Sequence, residues 1–300
     1  MSGMLDYRVV DVFTADAFAG NPLAVVLDAD DLSTAQMQAI ANEFNLSETT
    51  FPVAAKADEA TYQLRIFTPT NELPFAGHPS IGSAWVLRDL GRVTADRIIQ
   101  ECGAGLLPVS LDGDRATLTG GEPLLGEPID PEPVLAAVGL GLRDMVGDAV
   151  RWAGVGIDFA FLHVRPECVA RARPDLSALA AVGGASGVSV FSYVDDVAHA
   201  RVFAGGVGVI EDPATGSAAL GLGVWLAAAG LVAPDGRTWY RVEQGAEIGR
   251  PSRLECVMRC TGGRAVELSV TGSVVPVAEG RIRIPEPRQP HSGAGVSRSS

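Results

Sequence analysis

The chain is poor in cysteine, and the four it has share no spacing that would give them a joint task. Cys102, Cys168, Cys256 and Cys260 form no CxxC pair and have no companion histidine pattern. A structural zinc module and a disulfide framework are therefore not expected, and a reducing cytoplasm fits. Also missing are G-x-G-x-x-G and G-x-x-x-x-G-K-[ST], which removes support for a Rossmann dinucleotide site or a P-loop. Basic residues are in deficit: 23 Lys and Arg against 36 Asp and Glu, a net charge of −13 and a pI near 4.7. That balance argues against nucleic acid and against an anionic membrane surface as partners. The first residues, Met1 to Arg8, show no basic region followed by an apolar run, so a secretory signal is not expected.

One long stretch lacks charge altogether, from Pro213 to Pro234. Its length suits a membrane span. Its content does not: Gly and Ala dominate, and Arg237 is the only basic residue nearby. A helix apolar all round is equally what the buried centre of a soluble domain requires. Glu211-Asp212-Pro213-Ala214-Thr215-Gly216-Ser217 leads into it. Thr215 or Ser217 can cap the first N–H groups of that helix, and a glycine-bearing helix start can receive an anion. Asp212 stands beside the same positive end.

The first half carries a version of this arrangement. Glu72-Leu73-Pro74-Phe75-Ala76-Gly77-His78-Pro79-Ser80 leads into a second small-residue helix, with His78 expected as cap and Pro79 as first helical residue. Arg65-Ile66-Phe67 precedes the first and Arg201-Val202-Phe203 the second. Glu101-Cys102-Gly103 and Glu243-Gln244-Gly245 follow them. Three landmarks in one order point to a duplicated unit. The chain reads as two similar halves, each presenting a helix start to a shared cleft. The first half is expected over residues 1–118, completed by strands at about 273–285, and the second over 121–270. The Gly- and Pro-rich segment from Gly120 to Pro133 is expected as the linker, and 286–300 as a disordered tail. Ser33-Thr34-Ala35-Gln36 is a capping box for a helix ending at Asn45, after which Glu48 stands at a helix-to-strand corner.

Five ordered segments carry a family resemblance. Gly20-Asn21-Pro22, Asn45 to Phe51, Arg65 to Pro79, Glu211 to Ala219, and Gln244-Gly245 with Gly249 to Ser252 resemble the PhzF family, the phenazine-biosynthesis isomerases with the diaminopimelate-epimerase-like fold. The likeness runs from about Tyr7 to Ile284. It implies an α/β (α+β) fold of two pseudo-symmetric domains, each a mixed, curled sheet or barrel around a central helix, with the site between them. It also implies a homodimer, a small carboxylate as substrate, and no metal or organic cofactor. Two segments depart from the family pattern: Phe203-Ala204-Gly205 lacks an expected proline, and Gly154 to Val164 diverges.

Carried over residue by residue, the resemblance makes Glu48 the acid/base group, with His78 and Asp212 as further catalytic residues. Asn21, Ser47, Gly77, Gly216 and Ser217 are then expected to bind substrate. The implied reaction is a proton shift in a small unsaturated cyclic carboxylate, as in the isomerisation of trans-2,3-dihydro-3-hydroxyanthranilate. Two alternatives stand beside it. A cofactor-independent racemase or epimerase of this fold uses two thiols, one before each glycine of the paired helix starts; here those positions are Ala76 and Thr215. A binding protein that has merely kept the cleft would not need Glu48, His78 and Asp212 together.

Overall fold

The computed structural model describes residues 3–147, 149–182, 186–203 and 210–286. The expected tail from 287 onward, and Ala204-Gly205 in the second divergent segment, lie outside them. In chain order the first half contains β1 (Met4–Val12), β2 (Asn21–Val26), α1 (Thr34–Phe44), β3 (Glu48–Val53), β4 (Tyr62–Phe67), the two-residue β5 (Glu72–Leu73), α2 (Gly77–Asp89), β6 (Arg97–Cys102), β7 (Gly105–Asp112) and β8 (Arg115–Thr119). The second half has β9 (Pro123–Ile129), α3 (Pro131–Ala137), β10 (Val150–Val155), β11 (Asp158–His163), α4 (Pro166–Val169), α5 (Leu176–Val182), β12 (Val188–Val194) and β13 (Val197–Phe203). It continues through α6 (Gly216–Ala228), β14 (Gly236–Gln244), β15 (Ser252–Thr261) and β16 (Arg264–Arg283).

Strands β1, β2, β3, β4, β6, β7, β8 and β16 are hydrogen-bonded in that order, and β16 pairs back with β1, which closes a barrel. α2 runs through it, buried from Gly77 to Leu87 except for Trp85. Strands β9 to β16 continue the sheet and pack around α6, with no ladder between β9 and β16 among the described residues. All of α6 except Ala228 is buried, so the long uncharged run is a core helix. No described helix is long and apolar enough to cross a membrane.

The strand registers repeat. From β1 to β8 the pairings run antiparallel, parallel, antiparallel, parallel, antiparallel, antiparallel; from β10 to β16 they run the same way. Thr49 opposes Phe67 as Val188 opposes Phe203, and Arg8 opposes Val25 as Arg151 opposes Phe161. Gly77 therefore corresponds to Gly216, and Glu48 to Gly187. β16 belongs to both halves. Its first residues pair with β15, Ser269 to Ser273 with β8, and Val274 to Arg283 with β1.

Two expectations need correction. The Gly120–Pro133 segment is not a free linker: its centre is β9, paired with β10 from Pro123 to Ile129. Prolines 123 and 128 are tolerated there because β9 lies at the sheet edge, where a missing N–H costs no ladder bond. Nor is His78 a cap. The helix starts at Gly77 with Ala76 in the cap position, which makes Pro79 its third residue. The Ser33–Gln36 capping box is present as read, and Asn45 ends α1 in the left-handed region.

The halves meet at their helix starts. A methyl group on Gly77 would lie 3.1 Å from the Gly216 Cα and the Ser217 nitrogen, so only glycine lets α2 and α6 abut end to end. Phe13 wedges the junction. Its backbone lies at φ 66°, unusual for a bulky residue, and its ring fills the space beside Gly216 and Gly272. Main-chain bonds to Ser273 and from Arg253 hold it there. Arg250 clasps the halves from outside, donating to Asp11 and to the carbonyls of Ala19 and Gly20.

Candidate active site

Glu48 is delivered by backbone geometry. Asn45 turns the chain out of α1, and Glu48 begins β3 opposite Leu23 of β2. Alternation along β3 then sends Glu48 and Thr50 to the same face, toward α2, where Thr50 shares a hydrogen bond with Ser83 at 2.8 Å. The Glu48 side chain keeps 15% of its surface open. Its Oε2 lies 3.4 Å from His78 Nε2, longer than a good hydrogen bond, and neither atom has another partner. Two buried polar atoms facing one another without partners are the signature of a place that a ligand completes.

Asn21 sits behind this pair and organises it. Its Nδ2 donates to His78 Nδ1 at 3.1 Å, to Asp212 Oδ1 at 2.8 Å and to the Ala214 carbonyl at 2.9 Å. Its Oδ1 accepts from Ser47 Oγ at 2.9 Å. Two N–H bonds serve three acceptors, so one hydrogen is shared. Since His78 Nδ1 accepts, the ring proton is on Nε2 and points at Glu48. Asn21 is fully buried and all its polar atoms are engaged within the protein. It orients His78 and Asp212, and Ser47 steadies Asn21 in turn.

Asp212 is held from the other side. Thr215 Oγ1 donates to its Oδ2 at 2.6 Å, while Gln244 donates to its carbonyl at 2.7 Å. Thr215 stands in the cap position of α6 but spends its hydroxyl on Asp212, so no side chain caps that helix. Ala76 cannot cap α2. Two abutting helix starts thus offer uncapped N–H groups at Gly77, His78, Gly216 and Ser217 to one place, with both dipoles favouring an anion. Gln244 lies in one of the segments that carry the family resemblance, but it was not among the expected site residues. Its mirrored segment in the first half has Cys102 on the corresponding ladder rung, so the repeat gave no cue.

Electrostatics follow from burial. Loss of water, with the Asp212 charge adding to it, pushes Glu48 up to about 8, against a smaller downward pull from the Ser47 hydroxyl. Burial likewise lifts Asp212 to about 6, and hydrogen bonds from Thr215 and Asn21 hold it back. His78, buried without a charged partner strong enough to offset the loss of water, falls to about 3 and is neutral. The two carboxyls titrate as a pair that shares one negative charge near neutrality. All eight residues expected at the site lie around the helix junction, with Ser47 joined to it through Asn21.

Comparison with known proteins gives the family and the fold. The model of the phenazine biosynthesis-like protein family (PhzC-PhzF) matches residues 10–280. The chain is 35% identical to the trans-2,3-dihydro-3-hydroxyanthranilate isomerase of Pseudomonas aeruginosa, over 92% of this chain and 98% of that one. It is 37% identical to an uncharacterised isomerase of Mesorhizobium japonicum, over 93% and 99% of the two. The crystal structure of a PhzF-family phenazine biosynthesis protein from Bacillus anthracis superposes with a TM-score of 0.82 at 25% identity, covering 93% of this chain and 99% of that one. With this fold, and these relatives over nearly its whole length, the chain belongs to the phenazine biosynthesis-like family and is an isomerase.

Proposed function

We propose that the protein shifts a proton within a small unsaturated cyclic carboxylate, with trans-2,3-dihydro-3-hydroxyanthranilate the first substrate to test and Glu48 the single shuttle. One observation carries the reading: Glu48 has no counterpart carboxyl in the second half. Glu48 corresponds to Gly187 in the second half, and the positions before the two helix-start glycines are Ala76 and Thr215. A racemase needs a group on each face of the carbon. A single carboxyl that takes a proton and returns it elsewhere on the same face performs an isomerisation.

In this mechanism the uncapped N–H groups at Gly77 and Gly216 bind the substrate carboxylate. Glu48, as carboxylate, removes a proton from carbon beside the unsaturated system, and the electron pair moves into it. His78, neutral and donating through Nε2, steadies charge that develops on the substrate. Glu48 then gives the proton back at a second carbon. A pKa near the working pH suits a group that must do both. Substrate turned over in deuterated water should gain deuterium at one carbon only. Label at two carbons, or exchange at the starting carbon with return to it, would sink the shuttle. A homodimer in the cytoplasm completes the proposal; a single monomer mass by light scattering across micromolar concentrations would remove the dimer.

A further inference from the structure

The ends of the two sheets away from the cleft also correspond, and there the halves differ. Arg8 of β1 opposes Glu279, and Arg151 of β10 opposes Pro128 at the matching rung, beside a bulge that both sheets share. In the first half Arg8 has its acid, Glu279 at 3.1 Å, and the cavity it lines with Asp89 holds about 280 Å³. In the second half the positions of Glu279 and Asp89 are Pro128 and Ala228, and the cavity has grown to about 720 Å³. Arg151 makes no ion pair with a described residue. Among the described residues, the first half thus satisfies this arginine with an acid and the second offers it none.

The surroundings have changed as well, with His163 and Trp225 lining the second cavity and Phe191 buried behind them. Where the first half has Leu27, Pro52 and Val86, the second has His163, Phe191 and Trp225. His163 stacks on Phe191 with centroids 4.9 Å apart and planes at 7°, and Trp225 stands edge-on to both at 5.5 and 5.0 Å. Leu231 and Val146 sit at the mouth, 44% and 38% exposed. The carbonyls of Trp225, Leu226 and Ala227 at the end of α6 accept from Ala229, Leu231 and Gly230, so few unpaired oxygens remain to repel an anion. Burial lowers His163, which leaves Arg151 as the cation of the pocket. A space of this size with aromatic walls and one charged anchor matches a small-molecule site.

We propose that this cavity is a second ligand site, which takes a small aromatic carboxylate with its ring against Trp225 and His163 and its acid on Arg151. It is separate from the cleft: the thirteen residues of α6 put the two about 20 Å apart. The proposal stands whether or not Glu48 is the shuttle. The probe is 4-fluorobenzoate, titrated while the indole N–H resonance of Trp225, assigned through Trp225→Phe, is followed by NMR. A saturable shift is expected. Arg151→Gln should weaken the dissociation constant at least tenfold, and so should Pro128→Glu, which restores the acid of the first half. Turnover in the cleft should be unchanged in both, and Glu48→Gln should leave this binding as it is. No movement of that resonance up to millimolar probe would overturn the site. So would equal affinity in wild type and both variants, or a crystal in which a second copy of the chain seats a side chain there.

Discussion

Arg65 and Arg201 occupy the same rung of the two sheets. Each lies over the phenylalanine two residues on, at 5.2 and 4.9 Å from the ring centre, and each grips the glutamate five residues before a helix start. The geometry is duplicated; the surroundings are not. Arg65–Glu72 is partly open, at 21% and 38% exposure, whereas Arg201–Glu211 is closed off at 6% and 8%. Arg201 also donates to the carbonyls of Val169 and Ala172. The same divergence runs through the cleft, where Asn21, Glu48, His78 and Asp212 face Ile157, Gly187, Ser217 and Leu73 at the matching positions. Symmetry builds the scaffold and its double helix start. Chemistry comes from the places where symmetry is broken.

The largest effect should come from erasing the asymmetry at the shuttle. Glu48→Gln keeps the shape and removes the titrating proton, so turnover on a confirmed substrate should fall by ~10²–10⁴-fold with substrate binding little changed. Steady-state kinetics read both quantities. Undiminished turnover would return Glu48 to the role of a buried structural acid.

The two arginine clamps give the next comparison. Arg201→Gln leaves Glu211 charged and buried, and should destabilise by about 3–5 kcal/mol. Arg65→Gln breaks an open pair and should cost under about 1 kcal/mol. Urea unfolding of both variants decides it. Arg201→Met with Glu211→Leu should recover most of the loss, because no stranded charge remains. Equal effects at Arg65 and Arg201 would mean that burial does not separate the two clamps.

Much of this was legible beforehand, for physical reasons. Gly77 and Gly216 are readable because close helix approach permits nothing larger, and the matching Arg-x-Phe strands frame them on both sides. The Ser33–Gln36 box and the Asn45 stop are local chemistry, which sequence states directly. His78 misled because histidine before proline resembles a cap, while its actual position follows from the abutment of Gly77 against Gly216, a long-range contact. β9 was hidden because glycine and proline mark both linkers and edge strands. The single strand from Arg264 to Arg283 was divided between the halves, at 270 and about 273, because its partner changes from β15 to β8 to β1 along its length. The hub role of Asn21 needs Ser47, His78 and Asp212 in space together, and no local pattern encodes that.

Proton linkage offers a third, smaller test of the same asymmetry. Glu48 has a folded pKa raised from the usual carboxylate range to about 8, so the folded state prefers its protonated form. Its stabilising share is fully present below the unfolded pKa and is lost as pH rises through 8. Within that window the wild type should lose stability relative to Glu48→Gln, by up to about 1.4 kcal/mol per pH unit. The difference between the two isolates this group from the exposed carboxylates whose pKa values are lowered. Unfolding series at pH 5 to 9 would read it, and parallel curves would show that Glu48 is not held protonated.

Thr215→Ala makes the second helix start resemble the first, where Ala76 holds the same place. The hydroxyl caps nothing, so α6 itself should not suffer from its loss. What goes is the 2.6 Å bond to Asp212, together with the 3.0 Å contact from Gln244 to the hydroxyl. A single bond to a carboxylate contributes about 1.5–3 kcal/mol at most, and Asn21 remains on the other oxygen, so a loss near about 1 kcal/mol is expected. The more telling reading is electrostatic. That bond lowers Asp212, so its removal raises the Asp212 pKa and leaves less charge there at neutral pH. Less charge on Asp212 relieves the push on Glu48, whose own pKa should then drop. The pH at which kcat/KM rises, set by ionisation of Glu48, should move down in Thr215→Ala while the titration of Asp212 moves up. Thr215→Ser, which keeps the hydroxyl, should restore both. A profile that Thr215→Ala leaves in place would show that Asp212 and Glu48 do not titrate as one pair.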